Sequence, residues 1–265
     1  MSIAPSGPPR TSWPDRLRIL ASILSLGLAG GVLAQPIVVS AASSLTESFE
    51  ELAEMFEARN EGVRVDLNLA GSSTLAAQIV QGAPVSVFAS ANESQMNVVA
   101  DAGLIEGEPS VFARNRLVVI TPPGSPVRAV DDLADEGVTL VLAGPEVPVG
   151  AYARAALSAM DAVYGEGFER GALANVVSEE PNVRLVAAKI ELGEADAAIV
   201  YATDALAVQG VEAIRIEDEA NVLASYPVAV LADGPHPAVA QAFLTWVLSP
   251  EAQAVLASYG FEIVD

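Results

Sequence analysis

Apolar and polar positions fall into short alternating runs separated by small-residue turns and by longer stretches with helical spacing. Ile37-Val38-Val39-Ser40-Ala41 reads as a strand, and Phe49, Leu52, Ala53 and Phe56 then recur on one helical face. Between them Ser44, with Glu47 three residues on, fits the capping-box pattern, so a helix is expected from about Leu45 with Ser44 as its cap. The same order returns downstream. Val63–Leu69 alternates as a strand, Gly71-Ser72-Ser73-Thr74 turns, and a helix runs through Leu75, Ile79 and Val80. Val85–Ala89 is an expected strand, and Asn92-Glu93 opens a helix ending near Gly103.

Leu117–Thr121 is a strongly apolar strand, followed by the turn Pro122-Pro123-Gly124-Ser125-Pro126. A second set begins there: a short helix near Val130–Glu136, strand Val138–Leu142, a turn over 144–150 and a helix from Ala151 to about Tyr164. Strand Val176–Ser178, a helix through Leu185, Val186, Ile190 and Leu192, strand Ala197–Tyr201 and a short helix from Thr203-Asp204 follow. Val228–Leu231, after Tyr226-Pro227, and helices over Val239–Leu248 and Pro250–Tyr259 close the chain. Strands alternating with helices of this length predict an α/β fold with mostly parallel sheets flanked by helices. Two crossings, after Leu117 and near Tyr226, predict a discontinuous first lobe of 35–117 plus 226–265, a second lobe of 118–225, and a cleft between them.

The first 34 residues differ from the rest. Arg10, Arg16 and Arg18 precede the apolar run Ile19–Ala34, which ends Val32-Leu33-Ala34, the form of a secretory signal rather than of a membrane anchor. The chain carries 13 Lys+Arg against 34 Asp+Glu; removing residues 1–34 takes away those three Arg and Asp15, leaving 10 against 33, a net −23. Lys189 is the only lysine, so no basic track for nucleic acid exists. The absence of Cys removes disulfides, thiolate metal sites, Cys nucleophiles and lipid attachment at an N-terminal Cys.

No nucleophile–base pair stands out. His236, the only histidine, sits in the loop sequence Gly234-Pro235-His236-Pro237, and no Gly-x-Ser-x-Gly, Gly-x-Gly-x-x-Gly or Walker A pattern occurs. The acidic runs Glu50-Glu51, Asp131-Asp132, Glu179-Glu180 and Glu217-Asp218-Glu219 lack the spaced ligands and Gly of a calcium loop and read as solvated faces. What remains is a set of strand-to-helix turns made of hydroxyl, Gly and small apolar residues, with Tyr201.

Those turns carry a resemblance. Ala42-Ser43-Ser44-Leu45-Thr46, Gly71-Ser72-Ser73-Thr74-Leu75-Ala76, Gly82-Ala83-Pro84, the Pro145–Ala153 segment, Ile199-Val200-Tyr201 and Tyr226-Pro227-Val228-Ala229-Val230 together resemble the periplasmic molybdate-binding proteins of ABC transporters, over nearly all of residues 37–264. The resemblance implies the two-lobed periplasmic-binding-protein fold. It also implies capture of molybdate, and of tungstate, between the lobes by Ser44, Ser72, Val149, Val183 and Tyr201, with no cofactor and no side chain bonded directly to the metal. The implied partners are the membrane permease and ATPase subunits of an importer, the implied location is the periplasm, and a monomer is expected. Two departures stand out: many relatives have Ala where Val149 stands, and many have Asp where Ser86 stands.

The physics of such a site is consistent with the charge. Each helix N-terminus acts as roughly half a positive charge, so several converging ends offset much of a dianion without a buried cation. At about 0.15 M salt the Debye length is near 8 Å, so distant carboxylates are screened. A donor-only site disfavours hydrogenphosphate, whose proton finds no acceptor, whereas sulfate differs from molybdate only in size. The rival readings are a receptor for sulfate or another tetrahedral oxyanion, an enzyme on the same scaffold such as a porphobilinogen-deaminase-like transferase, which needs a Cys, and a cytosolic effector-sensing domain.

Overall fold

The computed structural model describes Met1 and residues 35–264; the signal segment expected over 1–34 lies outside them apart from Met1. The first part of the chain forms β1 (Gln35–Ala42), α1 (Thr46–Arg59), β2 (Val63–Ala70), α2 (Ser72–Val80), β3 (Val87–Ala89), α3 (Glu93–Asp101) and β4 (Ile105–Asn115). Next come β5 (Leu117–Thr121), β6 (Leu140–Ala143), α4 (Pro148–Tyr164), α5 (Phe168–Ala174), β7 (Val176–Glu180), α6 (Val183–Glu191), β8 (Ala197–Tyr201), α7 (Ala202–Ala207) and β9 (Glu212–Arg215). The chain ends with β10 (Ala224–Leu231), α8 (Pro237–Val247), α9 (Pro250–Ser258) and β11 (Glu262–Ile263).

The strands form a six-stranded sheet of order β11-β4-β10-β3-β1-β2 and a five-stranded sheet of order β7-β6-β8-β5-β9. Parallel pairing is confined to β2-β1-β3 and β7-β6-β8, while β10 and β11 in the first sheet and β5 and β9 in the second pair antiparallel. The sheets are therefore mixed rather than mostly parallel, because each takes in strands at the points where the chain changes sheet. That change occurs at Arg116, between β4 and β5, and again after Arg215, before β10. Asn221 ties the two passages: its Oδ1 accepts from Leu117 N at 3.1 Å and its Nδ2 donates to Leu117 O at 2.9 Å.

Apolar alternation explains the burial. Ile37 and Val39 of β1 and Phe49, Leu52 and Phe56 of α1 meet Phe112 and Phe243, with ring centroids 5.7 Å apart for Phe49–Phe112 and 5.2 Å for Phe56–Phe243. At the outer edge of this core Trp246 donates from Nε1 to Leu52 O at 3.2 Å, and the Arg59 guanidinium lies 4.7 Å from the indole centroid. The second sheet buries Leu140, Leu142 and Ile199 against Leu157, Met160, Val186 and Ile190.

Four local expectations change. Strand β4 has no counterpart in the sequence reading, because Glu106, Gly107, Glu108 and Pro109 interrupt its alternation; Gly107 has φ +72°, and the pairing with β10 is irregular there. Likewise α5, β9 and β11 carry too few periodic positions to stand out. Helix α4 starts at Pro148, not Ala151, since proline suits a first helical position where the missing N–H has no partner to lose. Ser44 does not cap α1: Ser43–Leu45 form a single 3₁₀ turn, the α-helix begins at Thr46, and no side chain caps it. The extra turn carries Ser44 Oγ away from the helix amides and towards Tyr226, 3.1 Å distant.

Candidate functional site

One cavity lies at the carboxyl ends of the parallel strands of both sheets, where an α/β fold exposes its turns. Its wall includes Ser44 from the turn after β1, Ser72 at the start of α2, Val149 at the start of α4, Val183 at the start of α6 and Tyr201 at the end of β8. All five sequence-derived candidates thus come together, and all are buried, at 4%, 1%, 1%, 3% and 1% exposure in that order. Gly71, Ala91 and Pro148 help complete the wall, and no charged side chain among the described residues lines it. The space between these residues is small.

Three of the helices that open onto this cavity share an omission. Helices α1, α2 and α4 have no side-chain cap, and α6 has only Asn182 Oδ1 accepting from Leu185 N at 3.0 Å. Helix α3, which starts just after the wall residue Ala91, is capped by Asn92 and α9, away from the cavity, by Ser249, while α5 and α8 begin elsewhere without a side-chain cap. The first N–H groups of a helix have no intrahelical partner, so the uncapped ends leave donors and the positive ends of helix dipoles facing the cavity.

The hydroxyls add donors of defined direction. Ser72 Oγ accepts from Ala91 N at 3.0 Å; a backbone N–H can only donate, so the Ser72 proton is free for another acceptor. Tyr201 OH is buried and has no hydrogen-bond partner among the described residues. Its ring is fixed edge-on against Tyr226 and Tyr152, at centroid distances of 5.7 and 6.5 Å. Burial above all, with Tyr226, Tyr152 and Asp204 nearby, pushes the Tyr201 pKa well above 10, so the phenol keeps its proton. A buried hydroxyl without an acceptor is uncommon and suits a group that donates to a ligand.

Contacts between the two sides of the cavity are close. A Cβ on Gly71 would lie 2.3 Å from Pro181 O, and Gln95 Nε2 donates to Glu146 O at 2.9 Å. Arg184, the residue after Val183, donates from Nε to Ser43 O at 3.1 Å and pairs through NH2 with Glu47. Its Nε is also 2.9 Å from Asp204 Oδ1, a charge contact without hydrogen-bond alignment. Asp204 is fully buried, and burial raises its pKa to about 7, opposed by Arg184 and reinforced by Glu47. Gly150 is also required by contact, since a Cβ there would sit 2.1 Å from Gly144 O at the close approach of α4 to the end of β6.

Among the departures, Ser86 is buried just before β3, where its Oγ accepts from Val38 N at 3.3 Å and donates to Pro235 O at 2.9 Å. It pins the loop before α8. His236 is exposed and lies outside the cavity wall. Sequence reasoning missed Arg184, Asp204, Asn115 and Tyr226 as neighbours of the site, because their partners are distant in the chain.

The chain is 40% identical over 231 residues to the molybdate-binding protein ModA of Mycobacterium tuberculosis H37Rv, covering 86% of this chain and 85% of that one. Among solved structures it shares its fold with the Azotobacter vinelandii periplasmic molybdate-binding protein (TM-score 0.75, 22% identity, 86% of this chain and 100% of that one). It also shares it with the sulfate-binding protein SubI of M. tuberculosis (TM-score 0.78, 18% identity, 87% and 88%). These are two-lobed binding proteins, and the paired α/β sheets described above follow the same plan. Residues 37–262, which hold all but the outermost residues of the two sheets and every residue of the cavity wall, match the family described as bacterial extracellular solute-binding protein, and the chain belongs to that family.

Proposed function

We propose that the protein is the extracytoplasmic receptor of an ABC importer, binding molybdate and, through the same contacts, tungstate. The observation that carries this reading is a small cavity walled by helix ends, three of them uncapped, and proton-donating hydroxyls, with no charged side chain in its wall and no acceptor for the buried Tyr201 O–H among the described residues. A tetrahedral dianion matches each feature. It accepts hydrogen bonds on all sides, and its charge is met by helix N-termini rather than by a buried cation. Ser44 and Ser72 donate from the first-sheet side, and the N–H groups at Val149 and Val183 with Tyr201 from the second, so the ligand joins the two lobes, 35–117 with 226–265 and 118–225.

Only the amide of Val149 is needed, so its larger side chain narrows the cavity without removing a donor. In this reading the protein acts as a monomer in the periplasm, is exported through residues 1–34, requires no cofactor and catalyses no reaction. Closure around the ion creates the surface that the permease and ATPase assembly recognises.

Calorimetric titration of the mature protein with molybdate, tungstate, sulfate and phosphate tests the proposal. Tight binding of the first two is expected; absence of heat and of any thermal shift with both would overturn it, and preference for sulfate would reassign the ligand. Tyr201→Phe and Ser72→Ala are each expected to weaken molybdate binding by about 1.5–3 kcal/mol, the range for hydrogen bonds to charged groups. Unchanged affinity in both variants would remove these side chains from the site.

A further inference from the structure

The direction of the Ser44 hydroxyl is set deeper in the protein. Tyr226, fully buried, has two hydrogen-bonding neighbours at its OH: Ser44 Oγ at 3.1 Å and Asn115 Nδ2 at 3.5 Å. Asn115 Oδ1 accepts from Arg116 N at 2.9 Å. Because a backbone N–H only donates, this bond fixes which end of the amide is oxygen. Both hydrogens of Asn115 Nδ2 then point inward, one to Thr203 Oγ1 at 2.8 Å and the other to the Tyr226 oxygen.

The remaining proton assignments follow. Burial raises the Tyr226 pKa far above its ordinary value, so its oxygen keeps a proton that needs an acceptor. Asn115 Nδ2 cannot accept and the neighbouring Tyr201 OH lies outside hydrogen-bond geometry, which leaves Ser44 Oγ as the acceptor among the described residues. The opposite direction, Ser44 donating to Tyr226, strands a buried phenolic proton. Ser44 therefore receives a hydrogen bond on its inner side and has its own proton free for the cavity, as Ser72 does through Ala91 N.

From this arrangement we infer that Asn115 and Tyr226 are positioning residues that fix the proton direction at Ser44 and so make the cavity select fully deprotonated oxyanions over those carrying a proton. The inference rests on the oxyanion reading of the cavity. Neither residue lines it. Both act through Ser44, and the anchor of the relay, Asn115, lies at the end of β4 where the chain changes sheet.

Two variants test it, with sulfate and phosphate compared as competitors for bound molybdate at mildly alkaline pH, where phosphate is chiefly hydrogenphosphate. In Asn115→Asp the carboxylate accepts from Arg116 N, Thr203 and Tyr226, so Tyr226 becomes an acceptor for Ser44 and Ser44 turns a lone pair to the cavity. The ratio of sulfate to hydrogenphosphate affinity is expected to fall about tenfold, the worth of one relieved unpaired proton. Tyr226→Phe removes the bond that orients Ser44 while keeping the ring, and is expected to lower the same ratio about threefold, part of that effect.

If Asn115→Asp does not fold, Tyr226→Phe decides the matter. Equal losses for sulfate and hydrogenphosphate, leaving the ratio unchanged, would give the two residues a packing role only and overturn the inference. Failure of the unmodified protein to bind molybdate would instead overturn the parent reading.

Discussion

Gly71→Ala is expected to reduce molybdate affinity by roughly 10–100-fold while leaving the melting temperature of the ligand-free protein nearly unchanged, on the scale of about 1–3 kcal/mol for overpacking a tight contact. Gly71 has φ −62° and ψ 138°, a conformation open to any residue, so alanine brings no backbone strain. The added methyl carbon meets Pro181 O at 2.3 Å and Asn182 Cβ at 3.4 Å. Pro181 is backbone on the far side of the cavity, next to the start of α6, and cannot move aside as a flexible side chain does. The clash therefore falls on the approach of the two sides that brings Ser72 and Val183 to one cavity. Calorimetry and thermal melts on the same variant separate the two effects; affinity within twofold of the unmodified protein would show that the sides need not meet this closely.

The second large effect concerns Arg184 and Asp204. Arg184→Gln is expected to destabilise the fold by about 3–5 kcal/mol above pH 7, the range for removing one partner of a buried ion pair. Asp204 is then left as a buried carboxylate without its cation. The loss is expected to shrink with acidification. A carboxyl whose folded-state pKa stands at about 7 against an ordinary 3.8 binds a proton more readily when folded. Arg184 holds that value down, so in Arg184→Gln the carboxyl takes up its proton at a higher pH still, and the loss relative to the unmodified protein is relieved as pH falls to about 7; in the unmodified protein the burial penalty is complete above about pH 7 and is relieved from there towards 3.8. For the same reason the unmodified protein should gain stability from this group on mild acidification, and Asp204→Asn should remove that gain. Urea unfolding at pH 9 and pH 5 measures both; a loss in Arg184→Gln that is equal at the two values would show that Asp204 is not its source.

Much of this architecture was legible because its elements are locally encoded. The turns at Ser44, Ser72, Val149 and Val183 each join a recognisable strand to a recognisable helix, and Tyr201 ends a strand of five buried residues. What resisted reading was of two kinds. Strand β4 is held by its pairing with β10 rather than by its own alternation, so Gly107 and Pro109 hid it. The support of the site is non-local: Ser44 meets Tyr226 across 182 positions, and Arg184 meets Ser43 across 141. The capping expectation at Ser44 failed for a related reason. A Ser followed by Glu after three residues marks a helix start, but it cannot say whether a 3₁₀ turn intervenes and hands the hydroxyl to a tertiary partner.

The placement of Trp246 decides which spectroscopic signal can follow ligand capture. Its indole, carried on α8, is held against α1 by Leu52 O and the Arg59 guanidinium, at the outer edge of the first-sheet core and absent from the cavity wall. In a chain beginning at Gln35 it is the sole tryptophan. Its emission then serves as a gauge of whether that core is intact, sensitive to denaturant and indifferent to the ion. On the proposed function the chromophores placed to respond are Tyr201 in the cavity wall and the rings of Tyr152 and Tyr226 packed on it, so occupancy is expected to be read in near-ultraviolet absorption and circular dichroism of tyrosine.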